Sequence, residues 1–389
     1  MILLPTQPTK LLKATSNKTK KDNKKKSFRI VISVKTLFDI LKATFLTVSA
    51  IIGAGFITGR ELVGYFGVQN FEVYSIFSGV LFFGCFLLIY SFGRAHNSYN
   101  DFNEKMLGKK GGKIMSTGVL ISAFISLCSL FAAMDSLTES LGFFGKVPVF
   151  SIFMIVLVSF TSKYGVKGLE KINLVLVPVV LSAVVSALIF KGDFKFDFAF
   201  KFSALKGGKT VLYVTMNAFI NLPIIFSATR GKNKKTVVGS AFLSAVILSG
   251  LTFFMLGAIA FNGSGAKDAD MPLLHAVGKG YSFVFGVALF TALISSVTTA
   301  YYPLYEFAVK TDGKRGIIIL DIFAFAFSRI GLKNIVDYVY PVIGVFGLIY
   351  IIACIVYALK VRKNNKKISG IKKRFIEDNK RIKLKRRQV

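Results

Sequence analysis

About ten stretches of this chain are apolar for long enough to cross ~30 Å of hydrocarbon. They lie at roughly 36–67, 73–94, 114–140, 147–163, 167–190, 208–229, 235–261, 281–309, 315–331 and 335–359. Lipid offers a backbone no water to bond with, so a chain that enters it repeatedly is confined to helices or a closed barrel. Runs of this length select helices. The expected fold class is therefore an all-α polytopic membrane protein. Hydrophobic residues make up 53% of the chain and the mean hydropathy is +0.60, too apolar for a soluble domain of this size.

One run breaks its own rule. The segment Ile51-Ile52-Gly53-Ala54-Gly55-Phe56-Ile57-Thr58-Gly59-Arg60-Glu61 lies inside the first span. Each glycine costs a helix ~1 kcal/mol relative to alanine. An unwound backbone at membrane depth is tolerated only where it lines a cavity or binds something. The second interruption is Tyr213-Val214-Thr215-Met216-Asn217-Ala218-Phe219-Ile220-Asn221-Leu222-Pro223, in the sixth run. Pro223 removes a donor and disfavours helix at Leu222. Asn217 and Asn221, four apart, share a face and can bond the groups so freed. Ten spans divide into repeats at about 36–190 and 208–359, each opening with an interrupted helix. Matched interruptions of this kind point to a solute site near the bilayer midplane.

Charge sets the expected orientation. The formal net charge is +32, and much of it sits in two tails, 1–29 and 360–389. With both tails inside, Arg94, Lys105, Lys109, Lys110, Lys113, Lys163, Lys167, Lys171, Arg230, Lys232, Lys234, Lys235, Lys310, Lys314 and Arg315 all fall in cytoplasmic loops, as the positive-inside rule requires. The expected domains are a basic, disordered cytoplasmic tail at 1–33, a transmembrane domain at 34–360 and a second basic cytoplasmic tail at 361–389. The location is the cell membrane. Basic tails beside a bilayer attract anionic headgroups, and no nucleic acid is expected as partner. The loop after the fifth run departs from the rule. It carries five lysines and alternates Phe194, Phe196, Phe198, Phe200 and Phe202, a pattern suited to an extended lid or to a packed connector.

Enzyme classes find little support. No HExxH, Gly-x-Ser-x-Gly or other nucleophile–base motif occurs, and no phosphate-binding glycine loop suggests a primary pump. Cys85, Cys128 and Cys354 fall in separate apolar runs and read as buried small hydrophobes. His96 and His275 have no ligand spacing, so no metal site or cofactor is expected.

Ile52-Gly53-Ala54-Gly55-Phe56 followed by Gly59-x-Glu61, with Tyr213-x-x-x-Asn217, resembles the YkvI-type bacterial membrane proteins. Gly168-Leu169-Glu170-Lys171-Ile172-Asn173 and Tyr340-Pro341-x-x-Gly344 agree with that resemblance, which covers about 36–359. Such proteins are relatives of the amino acid–polyamine–organocation transporters. The resemblance implies a LeuT-like 5+5 inverted repeat with broken first and sixth helices. It also implies a secondary active transporter of a small, amino-acid-like solute, driven by sodium or protons through alternating access. A membrane sensor on the same fold is the alternative. Arg60 departs from the pattern, which has an uncharged polar residue there, and a cation at that point would alter selectivity.

Under this reading Gly53, Ala54, Gly55, Phe56, Tyr213, Asn217 and Asn221 form the substrate site. Amides at the start of the second half-helix suit a carboxylate. No Asp or Glu is expected in the gap, which argues against a cationic amine as sole substrate. Carbonyls around Ser49 to Gly53, Ile52 among them, suit a cation. By the resemblance, Ala292, Ser295 and Ser296 in the eighth run match the alanine-and-two-hydroxyl spacing of sodium-coupled relatives, and Thr298 and Thr299 offer the same chemistry one turn on. Hydroxyls in membrane helices also commonly bond their own preceding turn. Glu61 is the leading intramembrane ionisable residue, as proton relay, cation partner, ion pair or wet-mouth residue. Asp135 and Glu139 read as outer-vestibule residues, Asp39 and Lys42 as inner-entry residues, and Asp321 has no assigned role.

Overall fold

The computed structural model describes residues 33–142, 148–162, 201–261, 271–277 and 282–385, Ala269, and scattered positions from 168 to 182. The chain forms two compact units, Met1–Phe38 and Asp39–Val389. Of the first unit only residues 33–38 are described, where the first helix begins. The second unit holds the rest of that helix and every later element. Most of the 167–190 run, residues 183–200 and the Phe194–Phe200 pattern, and residues 1–32 lie outside the described residues.

All regular structure among the described residues is helical. The first run becomes three pieces, α1 (Val34–Ile51), α2 (Ala54–Thr58) and α3 (Arg60–Phe66). Then come α4 (Phe71–Ala95), α5 (Tyr99–Ser140) and α6 (Val149–Thr161). The sixth run is α7 (Ala204–Ile220) followed by α8 (Leu222–Ala228). The remainder are α9 (Lys234–Phe261), α10 (Pro272–Val277), α11 (Ser282–Ser328), α12 (Leu332–Asn334), a π-helical turn at Ile335–Val339 and α13 (Tyr340–Lys385).

By length and hydropathy, five described helices can cross a bilayer. The number is six when α7 and α8, bent by 72° at Asn221, count as one broken span. Fewer elements than the ten expected pass this test for local reasons. The glycines divide the first run, and the eighth and ninth runs share α11, broken only at Asp312 and Gly313, where Gly313 has φ 58°. The fourth run yields only the 13 residues of α6. Helix α5 starts well before the expected third run, with a reversal at Gly108 (φ 77°). Ser98 caps that helix by accepting from the Asp101 amide at 3.1 Å.

Helix α9 packs on α4, α11 on α5 and α13 on α7, while α7 and α8 both lie against α4. Leu, Ile and Phe offer no advantage over lipid as neighbours, so close helix approach relies on small residues. A Cβ on Gly347 would collide with the Thr215 carbonyl oxygen, and one on Gly93 with that of Phe226. The Thr215 hydroxyl donates to the Gly344 carbonyl at 3.1 Å across the same contact. Ile76, Val80, Phe242, Val246, Ile349 and Val356 are exposed, as side chains facing lipid would be. The three cysteines are buried and unpaired.

Polar residues cross-link spans inside. Asp321 accepts from Ser159 at 2.9 Å and from the Tyr301 hydroxyl at 2.5 Å, tying α6 to both halves of α11. Asp135 pairs with Arg329 and accepts from Ser151 at 2.7 Å, so it joins three elements.

Replacing Gly347 with alanine should lower the unfolding temperature of the purified protein, since overpacking costs about 1–3 kcal/mol. Gly84→Ala is the control, because a Cβ there meets nothing within 4 Å. It should leave stability unchanged or slightly raised. Equal loss in both variants would refute the backbone contact between α7 and α13.

Candidate functional site

The first break begins where α1 ends. Ile52 still donates to Val48 at 2.8 Å, Gly53 turns back to the Ile51 carbonyl at 2.6 Å, and α2 restarts at Ala54. Gly59, with φ 82°, interrupts the chain again before α3. Only glycine adopts that left-handed conformation without strain. The span is thus broken twice within seven residues.

In the sixth span the asparagines repair the backbone from within. Asn217 Nδ2 donates to the Tyr213 carbonyl, and Asn221 Nδ2 to the Asn217 carbonyl, each at 3.0 Å. The Asn221 carbonyl then accepts from Ile224 and Ile225 as α8 begins. Helix α3 packs on α7 just ahead of this second break. Tyr65 lies 5.4 Å from Tyr213 between ring centroids, and its hydroxyl donates to Met216 Sδ at 3.4 Å.

The eighth-span hydroxyls reach the first break. Ser296 bonds the Ile52 carbonyl, and also lies 2.9 Å from the Ala292 carbonyl. One hydroxyl carries one proton and cannot satisfy both acceptors at once, so this corner is rich in oxygen lone pairs. Thr299 lies 3.2 Å from the Ser49 hydroxyl and donates to the Ser295 carbonyl at 2.8 Å. Among the described residues, Thr298 bonds only its own preceding turn, at the Ile294 carbonyl. Ser295 turns to Asn173, donating to its Oδ1 at 2.8 Å, while Asn173 Nδ2 donates to Thr299 at 3.0 Å. Ser49, Ile52, Ala292, Ser295, Ser296 and Thr299 are thereby gathered around one locus, with Thr298 turned into its own helix.

Glu61 corrects the expected charge of the gap. Its side chain folds back onto Gly55, where any Cβ would strike its Cγ and Oε1. Helical side chains lean toward the N-terminus, which carries the carboxylate from α3 back to α2. The gap therefore does contain an acidic group. Glu61 is only 3% exposed and makes no ion pair among the described residues. Arg60 faces elsewhere and pairs with Asp337 at 2.6 Å, binding α3 to the π-helical turn. It is not a cation in the gap.

Near the start of the first span, Asp39 pairs with Lys232 at 2.7 Å, and Arg94 donates to the Lys232 carbonyl at 3.1 Å. Below the second break lies a cavity of about 270 Å³, lined by Pro223, Ile224, Tyr99, Tyr302 and Glu306 among others. Two residues of this locus escaped assignment from sequence. Asn173 served only as part of a motif, although a lone amide in an apolar run is itself a signal. Tyr340, whose hydroxyl lies 2.5 Å from Ser129, likewise served only as part of a motif.

No protein-family model matches the chain. It is similar to the uncharacterised membrane protein YkvI of Bacillus subtilis (strain 168), 23% identical over 333 residues, covering 79% of this chain and 92% of that one. The solved structure of MhsT in complex with L-phenylalanine superposes with a TM-score of 0.61 at 15% identity, over 80% of this chain and 88% of that one. Mhp1, a nucleobase-cation-symport-1 family transporter, gives 0.52 at 16% identity, over 79% and 74%. A Na+-coupled sialic acid symporter gives 0.53 at 12% identity, over 79% and 76%. The fold is LeuT-like, as the sequence motifs implied.

Asn173→Leu should destabilise the purified protein by about 1–3 kcal/mol, the cost of stranding the buried Ser295 hydroxyl. Thr298→Val, which loses only a bond within its own helix, should cost clearly less in chemical denaturation. The reverse order would disprove the cross-link.

Proposed function

We propose that this chain is a secondary active transporter of a small, amino-acid-like solute, working by alternating access and coupled to sodium. The observation that carries this reading is the Ser296 hydroxyl on the Ile52 carbonyl. It brings the eighth span to the first-span break, in a fold shared with a Na+-coupled symporter. A cation would bind oxygens of Ser49, Ile52, Ala292, Ser295, Ser296 and Thr299, replacing the hydroxyl protons as the positive partner of the carbonyls. The solute would lie between the breaks, against Gly53, Ala54, Gly55, Phe56, Tyr213, Asn217 and Asn221. The repeats at about 36–190 and 208–359 would rock against each other. The Arg60–Asp337 and Lys232–Asp39 pairs, at opposite ends of the first span, would break in turn.

Both termini are assigned to the cytoplasm of a cell-membrane protein, with the basic tails against anionic headgroups. This follows from the loop charges. The cavity beside Pro223 then serves as the inner exit. A sensor on the same fold is the second reading, and one observation favours it. Helix α13 runs without interruption from the π-helical turn beside α3 to Lys385, linking the site to the tail.

Proteoliposomes containing the full chain test the proposal. An inward sodium gradient should drive concentrative uptake of at least one amino acid. Ser295→Ala with Ser296→Ala should lower the sodium stimulation tenfold or more, equivalent to about 1.4 kcal/mol in cation affinity. Uptake indifferent to sodium but driven by a proton gradient would move coupling to Glu61. Solute binding with no flux under either gradient would favour the sensor.

A further inference from the structure

The first-span break holds an acidic group whose second oxygen has nothing to bond. Glu61 is 3% exposed, and its Oε2 has no hydrogen-bond partner among the described residues. The backbone of Gly55 holds the carboxylate on one side. The neighbouring arginine is already committed to Asp337. Taking a carboxylate out of water costs several kcal/mol, and a lone one left without a cation keeps that cost in full.

Its surroundings suit one kind of counter-group. Tyr65, Tyr213 and Tyr340 all lie within electrostatic reach of Glu61. The Tyr213 hydroxyl is also buried and, among the described residues, meets no hydrogen-bond partner at ordinary geometry. Tyr213 is itself enclosed by aromatic rings, with Phe66 at 4.9 Å and Tyr65 at 5.4 Å between centroids. An ammonium group has three N–H donors and no acceptor. It can give one to Glu61 Oε2, one to Tyr213, and present its charge to the faces of the rings, which attract a cation. A bare proton would neutralise the carboxylate but would use neither the rings nor the second empty acceptor.

We infer that Glu61 receives a positively charged ammonium group of the solute, with Tyr213 as second acceptor, so that the site takes amines or amino acids and refuses purely anionic solutes. The assignment rests on the solute site proposed above and specifies its substrate class. Two carboxylates close together in a poorly hydrated site repel each other. A solute carboxylate must therefore sit away from Gly55, and a solute lacking the ammonium brings Glu61 no charged partner.

Matched compounds test this on the purified full chain. For alanine, leucine and phenylalanine, the probes are the amino acid, its decarboxylated amine and its deaminated acid, read by thermal shift and by equilibrium binding. In at least one set the ammonium-bearing members should raise the unfolding temperature while the deaminated acid does not. Glu61→Gln should weaken their binding at least tenfold, without lowering the unfolding temperature of the ligand-free protein. Should that variant fail to fold, Glu61→Asp, which withdraws the charge by one methylene, should still weaken binding.

Three results overturn the inference. They are a deaminated acid that binds as well as its amino partner, undiminished amine binding in the Glu61 variants, and no stabilisation by any ammonium compound. Flux separates this from the transport reading. Amine binding without uptake removes the transporter and leaves the receptor, whereas binding and uptake of a deaminated acid does the opposite.

Discussion

Hydrocarbon cannot bond a peptide group, and each interruption in this chain exists only because another part of the molecule supplies the missing partner. The carbonyl of Ile52 is met by Ser296, more than two hundred residues away in sequence. At the second break, amide side chains one turn ahead add bonds to the carbonyls of Tyr213 and Asn217, the latter also accepting the Asn221 backbone amide. The first break is thus closed by tertiary structure and the second by its own helix. That difference matters for stability. Loosening the eighth span uncovers the first break, while the second stays satisfied whatever its neighbours do.

The same constraint governs charge. Among the described residues most intramembrane carboxylates are answered locally, Asp135 by Arg329 and Asp321 by two hydroxyls. Asp337 is answered by Arg60 at the end of the first span. Glu61 is the exception, and it sits beside the broken backbone. Polar groups left unsatisfied inside a well-packed protein concentrate where a ligand completes the set. The aromatic wall around Tyr213 keeps water away from that point and so strengthens any electrostatic contact made there.

Much of this was legible in the sequence, because the signals are local. The glycine cluster and Pro223 announce their breaks through backbone chemistry alone. The spacing of Ala292, Ser295 and Ser296 could be matched because one helix carries all three. What escaped was whatever depends on where a side chain points. Glu61 counts as adjacent to the gap in sequence but enters it by leaning back over a turn, and Gly55 is the vacancy that admits it. Arg60, one residue earlier, leaves in another direction. Asn173 joins the cluster only through the packing of a distant span. The apolar run ends near 359, yet α13 continues to Lys385. Lysine, arginine and leucine are good helix formers, and a helix leaving the membrane extends without a new nucleation step.

That continuity gives α13 a mechanical character. At 1.5 Å per residue its 46 residues make an arm roughly 70 Å long, more than twice the ~30 Å thickness of a bilayer core. The inner part of this arm is held to α7 by backbone laid on backbone at Gly344 and Gly347, a joint with little room to slip. A rotation of the sixth span would therefore be carried along α13 rather than absorbed between the helices. A tilt of about 10° at the joint would move the far end by roughly 10 Å, by the rise per residue of a rigid helix. The basic tail would then act as the pointer of a gauge, magnifying a displacement that is small near the middle of the fold.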